Sequence, residues 1–445
     1  MAAQTQRKAL TVRLMILNFL EFAVWGAYLV SMGIYLASVG LGPKIFWFYT
    51  VQGLVSLFMP AVVGIVADRW IPAQKMLSLC HLIAGLFMCM AGWYCISHTG
   101  GTIEFGPLFT YYTISVAFFM PTIGLSNSVA FSALTEAGRD TIKAFPPIRT
   151  LGTVGFICAE LFVNFTDYQN TYMQFVASGV LSLVMAMYAV TMPPCPVNRS
   201  GSGASLAESL GLSAFKLFKR KKMAIFFIFS MLLGVSLQIT NSYGTTFIST
   251  FRDIADFANT WGAQNATALT AISQCSEALC ILLIPFFLRK FGIKGVMLMA
   301  MMAWVLRFGF FGIGDTGSGI VWLILSCIVY GVAFDFFNVS GGLFVDKETD
   351  PKLRSSAQGL FMIMTNGIGA SLGTWIAGNF VVNKLVYLQG PDTPAAVQLP
   401  GWRESWMIFA AYALVIAVLF FFIFKDKPTR ETARELKRAE DNAPI

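Results

Sequence analysis

Glu277 lies inside the apolar run from Ala268 to Leu288, and Asp335 inside the run from Ile320 to Phe344. Both runs are long enough to cross a bilayer. An acid in hydrocarbon costs several kcal/mol unless it is paired, protonated or facing water. Amides stand near both acids at helical spacing. Gln274 precedes Glu277 by three residues, Asn338 follows Asp335 by three, and one span earlier Gln238 precedes Asn241 by three. Residues three apart share a helix face, and unpaired amides in lipid are costly. Three polar faces therefore point together into one cavity, unless these groups only bond neighbouring helices. Carboxylates and amides donate and accept together, which suits sugar hydroxyls and the edge of a heterocycle. Phe334, four residues before Asn338, offers a flat apolar face for ring stacking. A carboxyl in a dry surrounding also binds a proton readily, so the pattern suggests solute binding joined to proton carriage.

The first half of the chain offers a second set. Arg149, Thr153 and Phe156 fall at i, i+4 and i+7 in one span, and Pro146-Pro147 just before them favours a helix start there. Arg149 either snorkels to the headgroups or pairs across the two halves with a second-half acid. Glu21 lies about 10 Å into the first span by helical rise, near Asn18 and Trp25, where it either lines the cavity or bonds a neighbour. Asp335, Arg149, Glu277 and Glu21 are thus the candidates for proton coupling. Glu160 reads as structural and towards the outer side. Arg307 reads as snorkelling outwards or pairing with Asp315. Asp68 and Arg69 read as bracing a turn.

These residues need membrane helices to hold them. The chain has 445 residues, 56% hydrophobic and 12% charged, where a soluble protein is roughly a quarter charged. Runs of about twenty apolar residues, the length that spans a bilayer, occur near 14–36, 45–66, 76–96, 107–134, 148–165, 171–192, 223–248, 262–288, 294–313, 319–345, 355–383 and 404–424. The reading is an all-α polytopic membrane protein with twelve transmembrane helices. The first run is too long, and lacks the cleavage site, for a secretory signal. The polar stretch 193–222 reads as a linker between a six-helix half at 1–192 and another at 223–424, with a polar tail at 425–445. Short basic turns follow the second span of each half, at Asp68-Arg69 to Lys75 and at Arg289-Lys290 to Lys294. Two parallel six-helix halves place substrate at the midplane between them. The glycines of span 11, Gly359 to Gly378, suit close packing or a helix that bends in transport.

The formal charge of +8 is a topology signal rather than a sign of a nucleic-acid partner. With the N-terminus in the cytoplasm, twenty-five of the 31 basic residues fall on the inner side and only Lys44, Arg252, Lys384 and Arg403 on the outer. The positive-inside rule then puts both termini in the cytoplasm. The two histidines and eight cysteines show no metal spacing, and no phosphate-cradling glycine loop or nucleophile motif appears. Neither a cofactor, a metal nor an enzymatic reaction is expected. Without a nucleotide-binding domain, the energy source is expected to be an ion gradient, with protons the default.

Longer runs carry a resemblance. Phe145-Pro-Pro-Ile-Arg149 with Gly152-Thr153 to Phe156, Leu237-Gln238 to Asn241, Ile272-Ser-Gln274-Cys-Ser-Glu277, Ala333-Phe334-Asp335 to Asn338, and Met364-Thr-Asn-Gly367 resemble the nucleoside:H+ symporter family of the major facilitator superfamily, over about residues 11–424. The resemblance implies the major facilitator fold and a bacterial inner-membrane importer of nucleosides, driven by protons, without a cofactor and working as a monomer among lipids. It implies that Gln238, Asn241, Gln274 and Glu277 bind the nucleoside, that Phe334 is a cavity aromatic, and that Asp335 and Arg149 serve coupling. Asn338, Thr153 and Phe156 join the expected binding set by spacing. The chain departs from the wider pattern at Trp70-Ile-Pro-Ala-Gln-Lys75 and at Glu21, where a neutral amide is expected. The competing functions are a sugar carrier or a drug exporter of the same superfamily. An enzyme would gather His, Ser or metal ligands at one membrane face instead.

The charge count makes a test. A cysteine introduced within 200–215 should react with an impermeant thiol reagent only after permeabilisation, and one within 385–400 should react from outside. The reverse pattern overturns the twelve-span reading.

Overall fold

The computed structural model describes residues 2–195, 212–350 and 353–425, so most of the expected linker and tail lies outside the described residues. Every regular element among them is helical. The first part comprises α1 (Ala2–Gly26), α2 (Met32–Ser38), α3 (Ile45–Arg69), α4 (Ala73–Ser97), α5 (Phe105–Glu136), α6 (Thr141–Phe165) and α7 (Met173–Val190). The second comprises α8 (Lys221–Thr250), α9 (Ala266–Ile313), α10 (Ile320–Glu348), the span Ser356–Leu385, here α11, and α12 (Ala395–Ile423). Eleven helices among the described residues are long and apolar enough to cross a membrane. The 48-residue α9 is about 70 Å long by helical rise, more than twice a hydrocarbon core of about 30 Å. It breaks at Gly292 (φ 68°, ψ 176°), a conformation that glycine adopts at little cost. The two arms make two crossings, which brings the total to twelve.

Two elements differ from the sequence reading. The first crossing is not one helix. The chain leaves helical geometry after Gly26, whose Cα faces the backbone carbonyl of Phe156, and resumes at Met32. A side chain at position 26 would strike that carbonyl. Broken backbone at membrane depth is tolerated only where its polar groups find partners. Here Ser178 Oγ donates to the Val24 carbonyl at 2.8 Å and Tyr49 Oη to the Leu29 carbonyl at 2.5 Å. The second difference is α6, which begins at Thr141 and carries Pro146 and Pro147 in its interior. Both prolines lie on the exposed side, and their fixed φ is already helical. The helix thus forgoes two hydrogen bonds without stopping. The Pro146 carbonyl accepts from Thr150 Oγ1 at 3.0 Å.

The first six crossings pack largely on one another, with α4 between α5 and α7 and α1 against α6; the last six do likewise, with α11 against α8. The α8–α11 contact is close because Gly234 faces the Thr365 backbone and Gly369 faces the Met231 carbonyl. Small residues permit such backbone approach between membrane helices. Next to this contact α11 widens into π-helical turns at Ile363–Gly369 and Ala377–Val382. Single π turns inside α-helices often mark functional sites.

The α8–α11 contact predicts a stability difference. Gly234→Ala must push two backbones apart and should lower stability by ~1–3 kcal/mol, the usual penalty of overpacking. Gly309→Ala, where a methyl meets nothing within 4 Å, should be neutral or stabilising. Thermal unfolding in detergent reads both, and equal melting temperatures would refute the packing account.

Candidate functional site

A cavity of about 630 Å³ lies between the first six crossings and the last six. Gln52, Ser56 and Pro60 of α3 form one wall, and Gln238 and Asn241 of α8, Phe334 of α10 and Asn366 of α11 form another, with Trp25 and Met120 beside them. Pro60 and Ala61 near the end of α3, and Ser356 and Gly359 near the start of α11, carry the lining towards the end of the bundle that bears the basic turns. The cavity opens at that end.

The opposite end is shut by hydrogen bonds between the two groups of crossings. Asn164 Nδ2 donates to Asn265 Oδ1 at 2.8 Å, while Asn164 Oδ1 accepts from the Ala268 amide at 3.0 Å. Gln169 Nε2 donates to the Gln264 carbonyl at 3.0 Å, and Gln169 Oε1 accepts from the Thr267 amide at 3.3 Å. Asn383 Nδ2 donates to the Pro43 carbonyl at 3.0 Å. At the basic end, by contrast, Arg139 bonds Thr11 within the first group, and Lys222 bonds Glu348 within the second at 2.7 Å.

Of the residues singled out by spacing, Gln238, Asn241 and Phe334 line the cavity. Asn241 Nδ2 lies 3.4 Å from Gln238 Oε1, so one face of α8 holds the two amides together. Asn338 lies on a pocket of about 20 Å³ next to it, with Phe334 and Asn366. Phe334 stacks on Tyr330, with centroids 5.8 Å apart and planes 3° from parallel. The Arg307 guanidinium sits over the same Tyr330 ring at 4.5 Å. Gln274 and Glu277 are half-buried on α9, outside the cavity lining. Gln274 Oε1 and Asp335 Oδ2 are both buried without a hydrogen-bond partner. Thr153 is half-buried, and Phe156 is buried with its ring edge-on to Trp25 at 6.3 Å. Phe156 thereby buttresses Trp25, which does line the cavity.

The charged candidates divide into two sets. Arg149 lies within electrostatic reach of Glu277 and Asp335, and of Glu21 as well. Among the described residues no carboxylate lies within ion-pair distance of Arg149. Its guanidinium rests over Phe22, 4.0 Å from the ring centroid. Glu21 turns away from the cavity into the first group of helices and is fully buried. Its Oε2 lies 2.9 Å from His81 Nε2 and its Oε1 accepts from Thr122 Oγ1 at 2.6 Å. His81 Nδ1 lies 3.0 Å from Ser182 Oγ. Arg307 neither snorkels nor meets Asp315. It is buried, with Nη1 donating to the Ser326 carbonyl at 2.8 Å and to Ser273 Oγ at 3.3 Å. Asp315 instead accepts from the Gly317 and Gly319 amides.

Gln52 and Asn366 line the cavity and were not among the residues expected there. Both are amides within spans, so the rule that found Gln238 applies to them, but each lacks a second amide or acid at helical spacing. No group of three or more His, Cys, Asp or Glu able to hold a metal occurs among the described residues.

The chain matches the family model described as "Nucleoside H+ symporter" over residues 8–429. It is 43% identical over 422 residues to the xanthosine permease of Escherichia coli K12, covering 94% of this chain and 96% of that one. It is also 43% identical over 430 residues to the nucleoside permease NupG of the same organism, covering 95% and 97%. The crystal structure of the nucleoside transporter NupG superposes with a TM-score of 0.84 at 42% identity, covering 94% of this chain and all of that one. A bacterial homologue of the lysosomal transporter Spinster, in an inward-facing conformation, shares the fold at a TM-score of 0.69 and 14% identity.

Proposed function

The chain belongs to the nucleoside H+ symporter family, and from that premise we propose that it imports nucleosides together with protons by alternating access, between two six-helix halves. One observation carries this reading. A cavity of about 630 Å³, within the range of small-molecule sites, lies between the two groups of crossings and presents Gln238, Asn241 and Phe334 on one wall. The amides suit ribose hydroxyls and the polar edge of a base, and Phe334 backed by Tyr330 suits stacking on its face. With the basic turns in the cytoplasm, the cavity faces inwards, both termini are cytoplasmic, and the protein works as a monomer in the bacterial inner membrane.

Gln274 and Glu277 complete the nucleoside site from α9 when the helices close around the solute. A buried polar atom without a partner, as at Gln274 Oε1, is costly, and a ligand relieves that cost. Thr153, Phe156 and Asn338 support the site from its edges. Asp335 carries the proton. A dry surrounding favours a neutral carboxyl and a nearby guanidinium favours a charged one, so movement of Arg149 towards or away from Asp335 exchanges a proton for a conformational step. Glu21 acts on this exchange at a distance, through its charge.

Binding tests the first half of the proposal. Glu277→Gln and Gln274→Ala should each weaken nucleoside binding by ~1–3 kcal/mol, the scale for a buried polar partner left unsatisfied, read by calorimetry on purified protein. Unchanged affinity in folded Glu277→Gln would remove this carboxylate from the site. Transport tests the second half. Asp335→Asn should abolish accumulation driven by a pH gradient yet retain exchange of preloaded nucleoside, and Arg149→Ala should impair both. Undiminished proton-driven accumulation in Asp335→Asn would move the coupling role to Glu277 or Glu21.

A further inference from the structure

Glu160 is a carboxyl that the cavity does not use. It sits on α6 at the closed end, fully buried, facing α9 across the seam between the two groups of crossings. Its Oε1 lies 3.2 Å from Thr270 Oγ1, and its Oε2 is buried without a partner. Thr270 Oγ1 also lies 2.8 Å from the Thr267 carbonyl. A hydroxyl has one hydrogen to give, and the shorter contact, to a carbonyl that only accepts, takes it. A neutral carboxyl supplies a hydrogen of its own to the longer contact, so that both contacts of the Thr270 oxygen are satisfied. A charged Glu160 would instead have to share the one hydroxyl hydrogen with the Thr267 carbonyl and leave a bare charged oxygen in a dry seam, which is heavily penalised.

The surroundings supply no compensating charge. On the α1 side Glu160 is flanked by the small apolar cluster of Ala23, Ala27, Ala159 and Val163. On the α9 side it meets Thr270. Behind these, within electrostatic reach of the carboxyl, lie Cys327 and Tyr330 of α10 and Arg307, which is engaged by Ser273 and Ser326. Among the described residues no cationic side chain lies within ion-pair distance of Glu160.

We propose that Glu160 is a second proton-binding site, a latch that holds the outer end shut when protonated and releases it when ionised. This rests on the alternating-access reading. A carrier that loads from outside must part α6 from α9 at this seam. Parting them exposes Glu160 to water, where its proton is free to leave for the outer medium. Closing the end requires a proton to return from that medium. Only the O–H bond of the carboxyl forms and breaks. The amide bonds at Asn164 and Gln169 close the same seam without a proton, so Glu160 gives it a pH dependence that they do not.

The test reads the seam directly. Thr267 is fully buried there, so Thr267→Cys should react with an impermeant thiol reagent, added from the side of loop 166–172, only when the outer end is open. The ratio of its labelling rate in the otherwise unaltered chain to that in a Glu160→Gln chain cancels the pH dependence of thiol chemistry itself. That ratio should rise at least about tenfold between about pH 5.5 and about pH 8.5, one decade being the effect of one unit of carboxyl titration. Glu160→Asp should keep a rising profile. Should Glu160→Gln not accumulate in the membrane, Glu160→Leu serves as the permanently neutral variant. A flat ratio in whichever neutral variant folds overturns the latch. Nucleoside uptake by the unaltered chain, measured in parallel, separates the two ideas. Intact uptake with a flat ratio removes the latch alone, and a rising ratio without uptake upholds the latch and removes the transport reading alone.

Discussion

A polar group in a bilayer core cannot borrow a partner from solvent, and leaving it unsatisfied costs several kcal/mol. That constraint arranges most of this molecule. Polar side chains in the spans meet it in different ways. Some are satisfied inside one group of helices, as Glu21 is by His81 and Thr122, and Arg307 by the Ser326 carbonyl and the Tyr330 face. Some bridge the two groups at the closed end, as Asn164 and Gln169 do. Others, among them Gln52, Gln238, Asn241 and Asn366, line the cavity with chemistry to spare for a solute, and a few, such as Gln274 Oε1 and Asp335 Oδ2, stay buried without a partner.

The two kinds of internal contact differ in what they permit. Within the second group, α8 and α11 meet backbone to backbone at Gly234 and Gly369, a fit that leaves no room for a side chain at either position. Across the closed end the contacts are amide hydrogen bonds, each worth about a kcal/mol net and replaceable by water when the seam parts. A rocking carrier needs that contrast of rigid bodies and a re-formable seam, because packed interfaces switch between discrete states rather than deform continuously. The first π turn of α11, Ile363–Gly369, sits where the rigid contact adjoins the cavity wall at Asn366 and Gly367.

Much of this is readable from the sequence, for physical reasons that also set the limits. Twelve apolar runs give twelve crossings because hydrophobic length is a local property. The faces bearing Gln238, Asn241 and Phe334 are found by helical spacing because one helix carries each face. What escapes is set by distant chain segments. Nothing near Glu21 announces His81, sixty residues on, or the turn of its side chain away from the cavity. Arg307 reads as a snorkelling end residue until Ser326 and Tyr330 are seen around it. Gln52 and Asn366 are lone amides, which local spacing does not distinguish from residues that merely bond a neighbouring helix. The prolines of α6 suggest a boundary that the helix passes, because their cost falls on an exposed edge.

The resting place of Arg149 bears on how such a device avoids locking itself. A buried ion pair is strong in a dry medium, and breaking one by removing its partner costs ~3–5 kcal/mol. A carrier that had to break such a bond bare in every cycle would favour one conformation by orders of magnitude, since a tenfold bias needs only 1.4 kcal/mol. Arg149 is within electrostatic reach of Glu277 and Asp335 yet lies over Phe22 at 4.0 Å. A desolvated cation–π contact is worth about 2 kcal/mol, so the ring recovers part of what the absent ion pair would give. The guanidinium thus has a partner in a conformation without the pair, and the gap between conformations narrows to a size that a proton or a bound solute can overturn.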